Sequence, residues 1–393
     1  MGLFFPLWIT QDLGGDDATV GFTLAVAMVI MLLVAPLVGA FSDHAPRRMP
    51  FLAVGTFTCI VATLLLGVGG LLASLMLFAL AVIAINVATI FYNAMLAEVS
   101  TEANRGTIGG LGVAVGYLGA IVAVVLGLTL VADRDYETGF RAVGLLYLLI
   151  AVPLLVLLKE RPRPVQALTL IERVSGTVGQ LRTTLGGIHR FPGLMRFLFA
   201  RFWYVWSLNT ASTFAILYGT ETIGFTDREV EVVLLLGIVV AIPSGLVWGR
   251  VVDRIGAGRV LSFALSGWVA VLLSAIAIAH FELPTYLWWP IGFASGVVVA
   301  GTWVADRPYM MALSPPEYLG ELFGLHNMTG RLSVIAGPFF WGLISVTLGF
   351  GQTAAVLSLA ACAVIALVLM LGAGRKAASV ARDTGLSGEE AIT

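Results

Sequence analysis

Apolar residues in this chain come in long unbroken runs, separated by short stretches that hold almost all of its charge. The runs lie near 18–41, 51–72, 74–97, 107–131, 140–158, 196–218, 230–252, 260–279, 285–313, 320–347 and 352–373. A helix crossing the hydrocarbon of a bilayer needs about 20 apolar residues, so this pattern predicts eleven membrane-spanning helices. Ahead of them, Met1 to Thr10 (MGLFFPLWIT) is too short to span. It reads as the outer end of a first helix whose beginning is not in this sequence, because a half-helix would leave backbone groups unpaired in lipid.

Composition removes the alternatives to a membrane fold. The chain is 59% hydrophobic and 11% charged, with mean hydropathy +0.97, whereas a soluble domain carries about a quarter of its residues charged. A net charge of −1 gives no reason to expect a nucleic-acid partner. Cys59 and Cys362 lie inside apolar runs, and neither a disulfide framework nor a metal site is expected of them. The histidines, His44, His189, His280 and His326, are scattered without metal-ligand spacing. No phosphate-cradling G-x-x-x-x-G-K-[ST] occurs, which argues against ATP hydrolysis as an energy source. No cofactor is expected, and no basic segment precedes the first apolar residues as a cleaved signal peptide would require.

Lys and Arg set the orientation. Loops on the side of Arg47 hold fourteen of them, and loops on the other side hold two, Arg134 and Arg228. Arg47, the central loop and the C-terminus are therefore expected in the cytoplasm, of a cell (plasma or inner) membrane. The only long loop, 159–195, carries KERPRP and then apolar residues at helical spacing among several Arg, as a helix lying on the membrane surface would. It separates an N-terminal helical half, 1–158, from a six-helix half, 196–373. The small, polar tail 374–393 is expected to be disordered.

Two stretches occur twice. PLVGAFSDHAPRR (36–48) places Gly39 four residues before Asp43, on one helix face, with Arg47 and Arg48 beyond. PSGLVWGRVVDRIGAGR (243–259) repeats the device with Gly249, Asp253, Arg254 and Arg259. TEANRGTIGGLGVAVGYLG (101–119) also aligns with PPEYLGELFGLHNMTGRLSVIAGP (315–338), at an offset of 215 that puts Glu102 on Glu317 and Gly109 on Gly324. Repetition of both suggests one ancestral half used twice.

With these residues the chain resembles the major facilitator superfamily, whose two six-helix halves carry a G-x-x-x-D-x-x-x-R-R loop after the second helix. Within it, FYNAMLAEVSTEANRGTIGGLGVAVGYLGA (91–120), SPPEYLGELFGLHNMTGRLSVIAGPFFWG (314–342) and FFPLWIT look like the vacuole-effluxer branch, named for a fungal vacuolar amino-acid exporter. The run 196–218 departs from that branch in lacking an Asn-Asp-Gly near its start. The resemblance implies an all-α polytopic protein of two six-helix halves, here with a truncated first helix. It also implies that the runs 74–97, 196–218 and 285–313 line a central cavity. Gly39, Asp43, Arg47, Arg48, Gly249, Asp253, Arg254 and Arg259 would then form a cytoplasmic gate. Asp–Arg contacts and helix-end dipoles would hold the halves together in the outward-facing state. The competing reading of these residues is a charged anchor that only fixes topology.

Charges inside apolar helices are costly and mark function by default. Asp306 and Arg307 lie in GTWVADRPYMMAL beside Pro308, and Arg331 lies about ten residues, roughly 15 Å, into its run. Arg201 is nearer the cytoplasmic edge, followed by Trp203, Tyr204 and Trp206. Asp306 is a candidate proton site, and Arg307 or Arg331 a candidate for a substrate carboxylate; a static Asp306–Arg331 pair is the alternative. Asn86, Tyr92, Asn93, Asn209, Thr210 and Thr213 are polar at mid-membrane depth, as cavity lining or as helix-to-helix hydrogen bonds. Gly109, Gly112, Gly116 and Gly119 form a stripe for close helix packing.

A secondary transporter of a small polar solute fits these features best, with amino acids, efflux and proton coupling implied by the resemblance. A drug or lipid exporter of the same fold would want a more apolar cavity. A receptor or scaffold would want a larger soluble region than 159–195. An enzyme would need clustered catalytic groups, and none appears.

Overall fold

The structure, a computed structural model, describes residues 5, 8–9, 12–15, 17–130, 136–157, 160, 192–315 and 318–383. Among them are eleven α-helices: α1 (Asp17–His44), α2 (Met49–Leu64), α3 (Gly70–Val99), α4 (Arg105–Leu130), α5 (Tyr136–Leu157), α6 (Pro192–Leu217), α7 (Asp227–Ile255), α8 (Ala257–His280), α9 (Trp288–Ala312), α10 (Leu319–Gly342) and α11 (Gly351–Asp383). Each falls on one apolar run. Two π-helical segments, Tyr218–Thr222 and Leu343–Thr347, follow α6 and α10.

Among the described residues six helical stretches are long and apolar enough to cross a membrane, and Phe22–Ala35 with Leu37–Asp43, bent by 46° on either side of Pro36, make a seventh if taken as one span. Large apolar side chains such as Phe22, Leu33, Leu72, Leu149 and Phe263 stand two-thirds or more exposed. In water such a surface would associate. In lipid it is solvated, and the backbone polar groups are already paired within the helices.

Several boundaries differ from the hydropathy reading. The run 51–72 is helical only to Leu64, because Gly67 (φ +100°) and Gly69 (φ +93°) take left-handed conformations that turn the chain into α3. The last helix runs past 374 to Asp383, where a disordered tail was expected; GRKAASVARD is rich in Ala, Arg and Lys, strong helix formers. The surface helix expected within 159–195 lies outside the described residues. Of Met1 to Thr10, only Phe5, Trp8 and Ile9 are described, and all three are buried.

The chain divides into two compact units. The first comprises 1–98, 119–183 and 317–328, and the second 99–118, 184–316 and 329–393. In the first, α2 packs along α5, and Gly55 lets α2 meet α3: a Cβ there would stand 3.1 Å from the Ala84 carbonyl. An aromatic cluster fills one region of this unit, with Phe5 stacked on Phe78 at 3.9 Å and Trp8 against Phe140 at 5.3 Å.

In the second unit α7 lies along α9 and α6 along α11, with α8 against both α9 and α11. The α7–α9 contact is glycine-on-glycine: a Cβ on Gly296 would stand 2.2 Å from the Gly237 carbonyl. Further along, Gly301 makes room for Trp248, whose indole N–H donates to the Val297 carbonyl at 2.9 Å. A capping box starts α7: the Thr226 hydroxyl accepts from the Glu229 N–H, and the Glu229 carboxylate accepts from the Thr226 N–H at 2.9 Å. The Thr226 backbone and hydroxyl together hold the Glu229 carboxyl below its ordinary pKa.

Glycines at contact and in the open should respond oppositely to a methyl group. Gly296→Ala is expected to lower the apparent melting temperature in detergent, as overpacking of about 1–3 kcal/mol would. Gly116→Ala, where a Cβ meets nothing within 4 Å, is expected to hold or raise it through helix propensity. Equal melting of the two variants would refute the close-packed α7–α9 seam.

Candidate functional site

Asp43 ends α1 with its side chain buried. Its Oδ1 accepts from the Arg48 guanidinium at 2.9 Å and from the backbone N–H of Gly320, in the first turn of α10, at 2.6 Å. The approach is close because Gly320 carries no side chain; a Cβ there would stand 2.4 Å from the Gly39 carbonyl. The Gly39–Asp43 spacing thus presents a bare carbonyl and a carboxylate to one helix start. Arg48, 2% exposed, is fixed by four groups of its own unit: Asp43, the Ser42 hydroxyl at 3.0 Å, the Ala94 carbonyl at 2.9 Å and Glu98 at 3.0 Å. Glu160 accepts from the backbone N–H groups of Arg48 and Met49.

The echo builds the same contact inside the second unit. Asp253, near the end of α7, accepts from the N–H groups of Gly106 and Thr107 at 2.5 and 2.8 Å and from the Thr107 hydroxyl. Both donors belong to the first turn of α4, which otherwise leaves its N–H groups unpaired. Gly249 is again the close-approach residue, with a Cβ 2.8 Å from the Gly106 carbonyl, and Gly110 meets the Gly245 carbonyl at 2.4 Å. In α4 the packing glycines are therefore Gly106 and Gly110. The stripe read from sequence lay one face over: Gly116 and Gly119 meet nothing, and Gly109 faces α9 at the Val304 carbonyl, the group that Pro308 leaves without its helical N–H. Among the gate arginines only Arg48 is buried; Arg47, Arg254 and Arg259 are exposed.

The intramembrane charges gather in the second unit. Asp306 in α9 is 2% exposed, and its carboxylate takes the Arg201 Nε of α6 at 3.2 and 3.4 Å and the Tyr204 hydroxyl. Arg201 also donates to the Thr329 hydroxyl of α10 at 3.1 Å, and its guanidinium lies 2.9 Å from where a Cβ on Gly330 would be. Arg331 lies within electrostatic reach of Arg201. Three helices thus converge on one carboxylate with an excess of positive charge. The partner expected from sequence was Arg331; Arg201 and Tyr204 were not assigned to the site. Their i, i+3 spacing on a buried face was the available signal.

The other candidates are more local. Trp206 is buried, stacks on Trp203 at 5.4 Å and leans on Phe340 at 5.0 Å. Asn209 and Asn86 each donate to the carbonyl four residues back, Val205 at 3.0 Å and Val82 at 2.6 Å, so neither amide N–H bridges to another helix through that bond. Asn93 is buried and Tyr92 is 41% exposed; with Asn86 they belong to the first unit, apart from the Asp306 cluster of the second. Arg307 is half-buried, one residue and about 100° round α9 from Asp306. Among the described residues no group of three His, Cys, Asp or Glu side chains could hold a metal ion.

Comparison with known proteins places the chain in a family. The family profile described as Major Facilitator Superfamily matches residues 1–338. The chain is 22% identical over 369 residues to the MFS-type transporter YxiO of Bacillus subtilis (strain 168), covering 90% of this chain and 84% of that one. It is 23% identical over 274 residues to autophagy-related protein 22-1 of Aspergillus fumigatus, covering 63% of this chain and 45% of the fungal one. The match thus spans about half of the fungal relative. A crystal structure of a bacterial homologue of the iron transporter ferroportin, in an outward-facing state, superposes with a TM-score of 0.72 at 17% identity, covering 95% and 94% of the two chains.

Removing one member of the buried pair should cost far more than removing both. Arg201→Ala strands the Asp306 carboxylate and is expected to destabilise by about 3–5 kcal/mol. Adding Asp306→Asn to it should recover a large part of the loss in a thermal-melt double-mutant cycle. Additive losses would show that the two groups do not support each other.

Proposed function

The chain belongs to the major facilitator superfamily, and from that premise we propose that it is a secondary transporter exporting amino acids in exchange for protons. It is an all-helical, multi-pass membrane protein resembling the vacuole-effluxer branch, and the eleven helices are read as eleven spans with the C-terminus in the cytoplasm. The observation that carries the proposal is the buried Asp306 carboxylate paired with Arg201 and Tyr204, with Arg331 within electrostatic reach of Arg201. An amino acid offers an ammonium and a carboxylate. In this scheme the ammonium engages Asp306 and the carboxylate engages Arg331, while Arg201 and Tyr204 hold Asp306 in place.

Exchange follows from competition. A proton and an ammonium both need the charged carboxylate, so Asp306 carries one or the other. Binding either from opposite sides of the membrane then couples proton entry to substrate exit by alternating access. Asp43 and Asp253 are the proposed latches. Each holds a helix start by charge-assisted hydrogen bonds, and breaking both permits the switch between access states.

Proteoliposomes test this. With a labelled amino-acid mixture and an imposed pH gradient, the protein is expected to drive accumulation that Asp306→Asn abolishes. Arg331→Ala is expected to raise the half-saturating concentration at least several-fold. Gradient-driven transport that survives Asp306→Asn would remove Asp306 from coupling. Failure to carry any amino acid, with drugs or lipids carried instead, would replace the substrate class.

A further inference from the structure

A cavity lies wholly inside the second unit, toward the end of α7 opposite Asp253. It holds about 180 Å³ and is walled by α6, α7, α8, α9, α10 and α11, with Phe214, Tyr218, Phe225, Trp268, Trp288 and Trp341 as its aromatic lining. Phe214 stacks on Trp341 at 4.5 Å, and Trp288 stands edge-on to Tyr218 at 6.0 Å. Tyr218 and Gly219, also in the wall, open the π-helical segment Tyr218–Thr222, a local departure from α-geometry that recurs at functional sites.

Ser212 donates to the Leu208 carbonyl, Ser295 to the Gly292 carbonyl, and Trp268 to the Ser207 hydroxyl, each within 2.9 Å. The Tyr218 hydroxyl and the Trp288 indole N–H, both buried atoms, meet no partner of full hydrogen-bond geometry among the described residues; Thr353 interacts with the Tyr218 hydroxyl without closing such a bond. Tyr218 as a whole is 5% exposed. A buried donor left unpaired loses its hydration without compensation, and these two share one apolar chamber.

We propose that this chamber binds an uncharged, ring-sized apolar molecule carrying one oxygen acceptor, a phenol or small cyclic ketone that partitions into the bilayer. Size sets the ring: a cavity of roughly 150 Å³ lined by apolar side chains accommodates benzene. A charged ligand is disfavoured because no Asp, Glu, His, Lys or Arg lines the wall to pair with it. The oxygen is set by the two donors, each of which is satisfied by an acceptor. This site is separate in residues from the Asp306 cluster and does not depend on what the protein transports.

Calorimetric titration of para-cresol into the full chain in lipid nanodiscs, against protein-free nanodiscs, tests the site. One saturable event per chain is expected, with toluene binding about fivefold more weakly, the weight of one neutral hydrogen bond. Tyr218→Phe should reduce that preference for para-cresol, and Ala275→Phe, which fills the chamber, should eliminate both ligands. The Ala275 variant counts only if its melting curve shows a folded protein; otherwise the Tyr218→Phe comparison decides. Heat no greater than lipid partitioning, or para-cresol binding unchanged in Tyr218→Phe, would overturn the proposal.

Discussion

A helix that starts at a membrane surface leaves its first backbone N–H groups without partners, and a carboxylate is the strongest acceptor available to them. This protein meets that need twice, with a carboxylate supplied from the other half of the sequence. Asp43 of α1 holds the start of α10, and Asp253 of α7 holds the start of α4. Much of the local sequence follows from those two contacts. Gly249 and Gly320 are needed because a Cβ at either would strike backbone within 3 Å. Arg48 is needed because a buried carboxylate requires more than one partner to offset its desolvation.

The two contacts are alike in plan and unlike in support. Asp43 is buried and is shared between a backbone N–H and an arginine that itself binds Ser42, Ala94 and Glu98. Asp253 relies on Thr107, which donates both its N–H and its hydroxyl. Its neighbours Arg254 and Arg259 are exposed. Releasing Gly320 therefore leaves Asp43 still paired with a buried arginine, while releasing Gly106 and Thr107 leaves Asp253 to water. The same motif, duplicated, holds one helix start with an arginine-backed carboxylate and the other with a carboxylate alone.

How far the chain could be read before its structure depends on where each partner lies. The helices were legible because hydropathy is a property of consecutive residues, and eleven runs became eleven helices. The end of α2 was not, since Gly67 and Gly69 sit inside a run whose average remains apolar. The Gly–Asp pairs were legible by repetition, but the groups they bind were not. Backbone N–H groups at Gly320, Gly106 and Thr107 carry no residue signature. Asp306 was found because a carboxylate in an apolar run is rare. Arg201, 105 positions away, could not be matched to it without knowing that α6 and α9 meet.

The Asp306 cluster and the aromatic chamber show opposite uses of burial in one bundle. Around Asp306, polar groups from three helices satisfy one another, and the low local dielectric strengthens each contact. Such a network responds when its proton count changes, because every member has a partner to gain or lose. Around Tyr218, six helices leave apolar space and two donors without acceptors, and no Asp, Glu, His, Lys or Arg lines the wall. That chamber responds only to what dissolves in it. A ligand held by Tyr218, just past the end of α6, and by Trp288, at the start of α9, would touch the far ends of the two helices that carry Arg201 and Asp306.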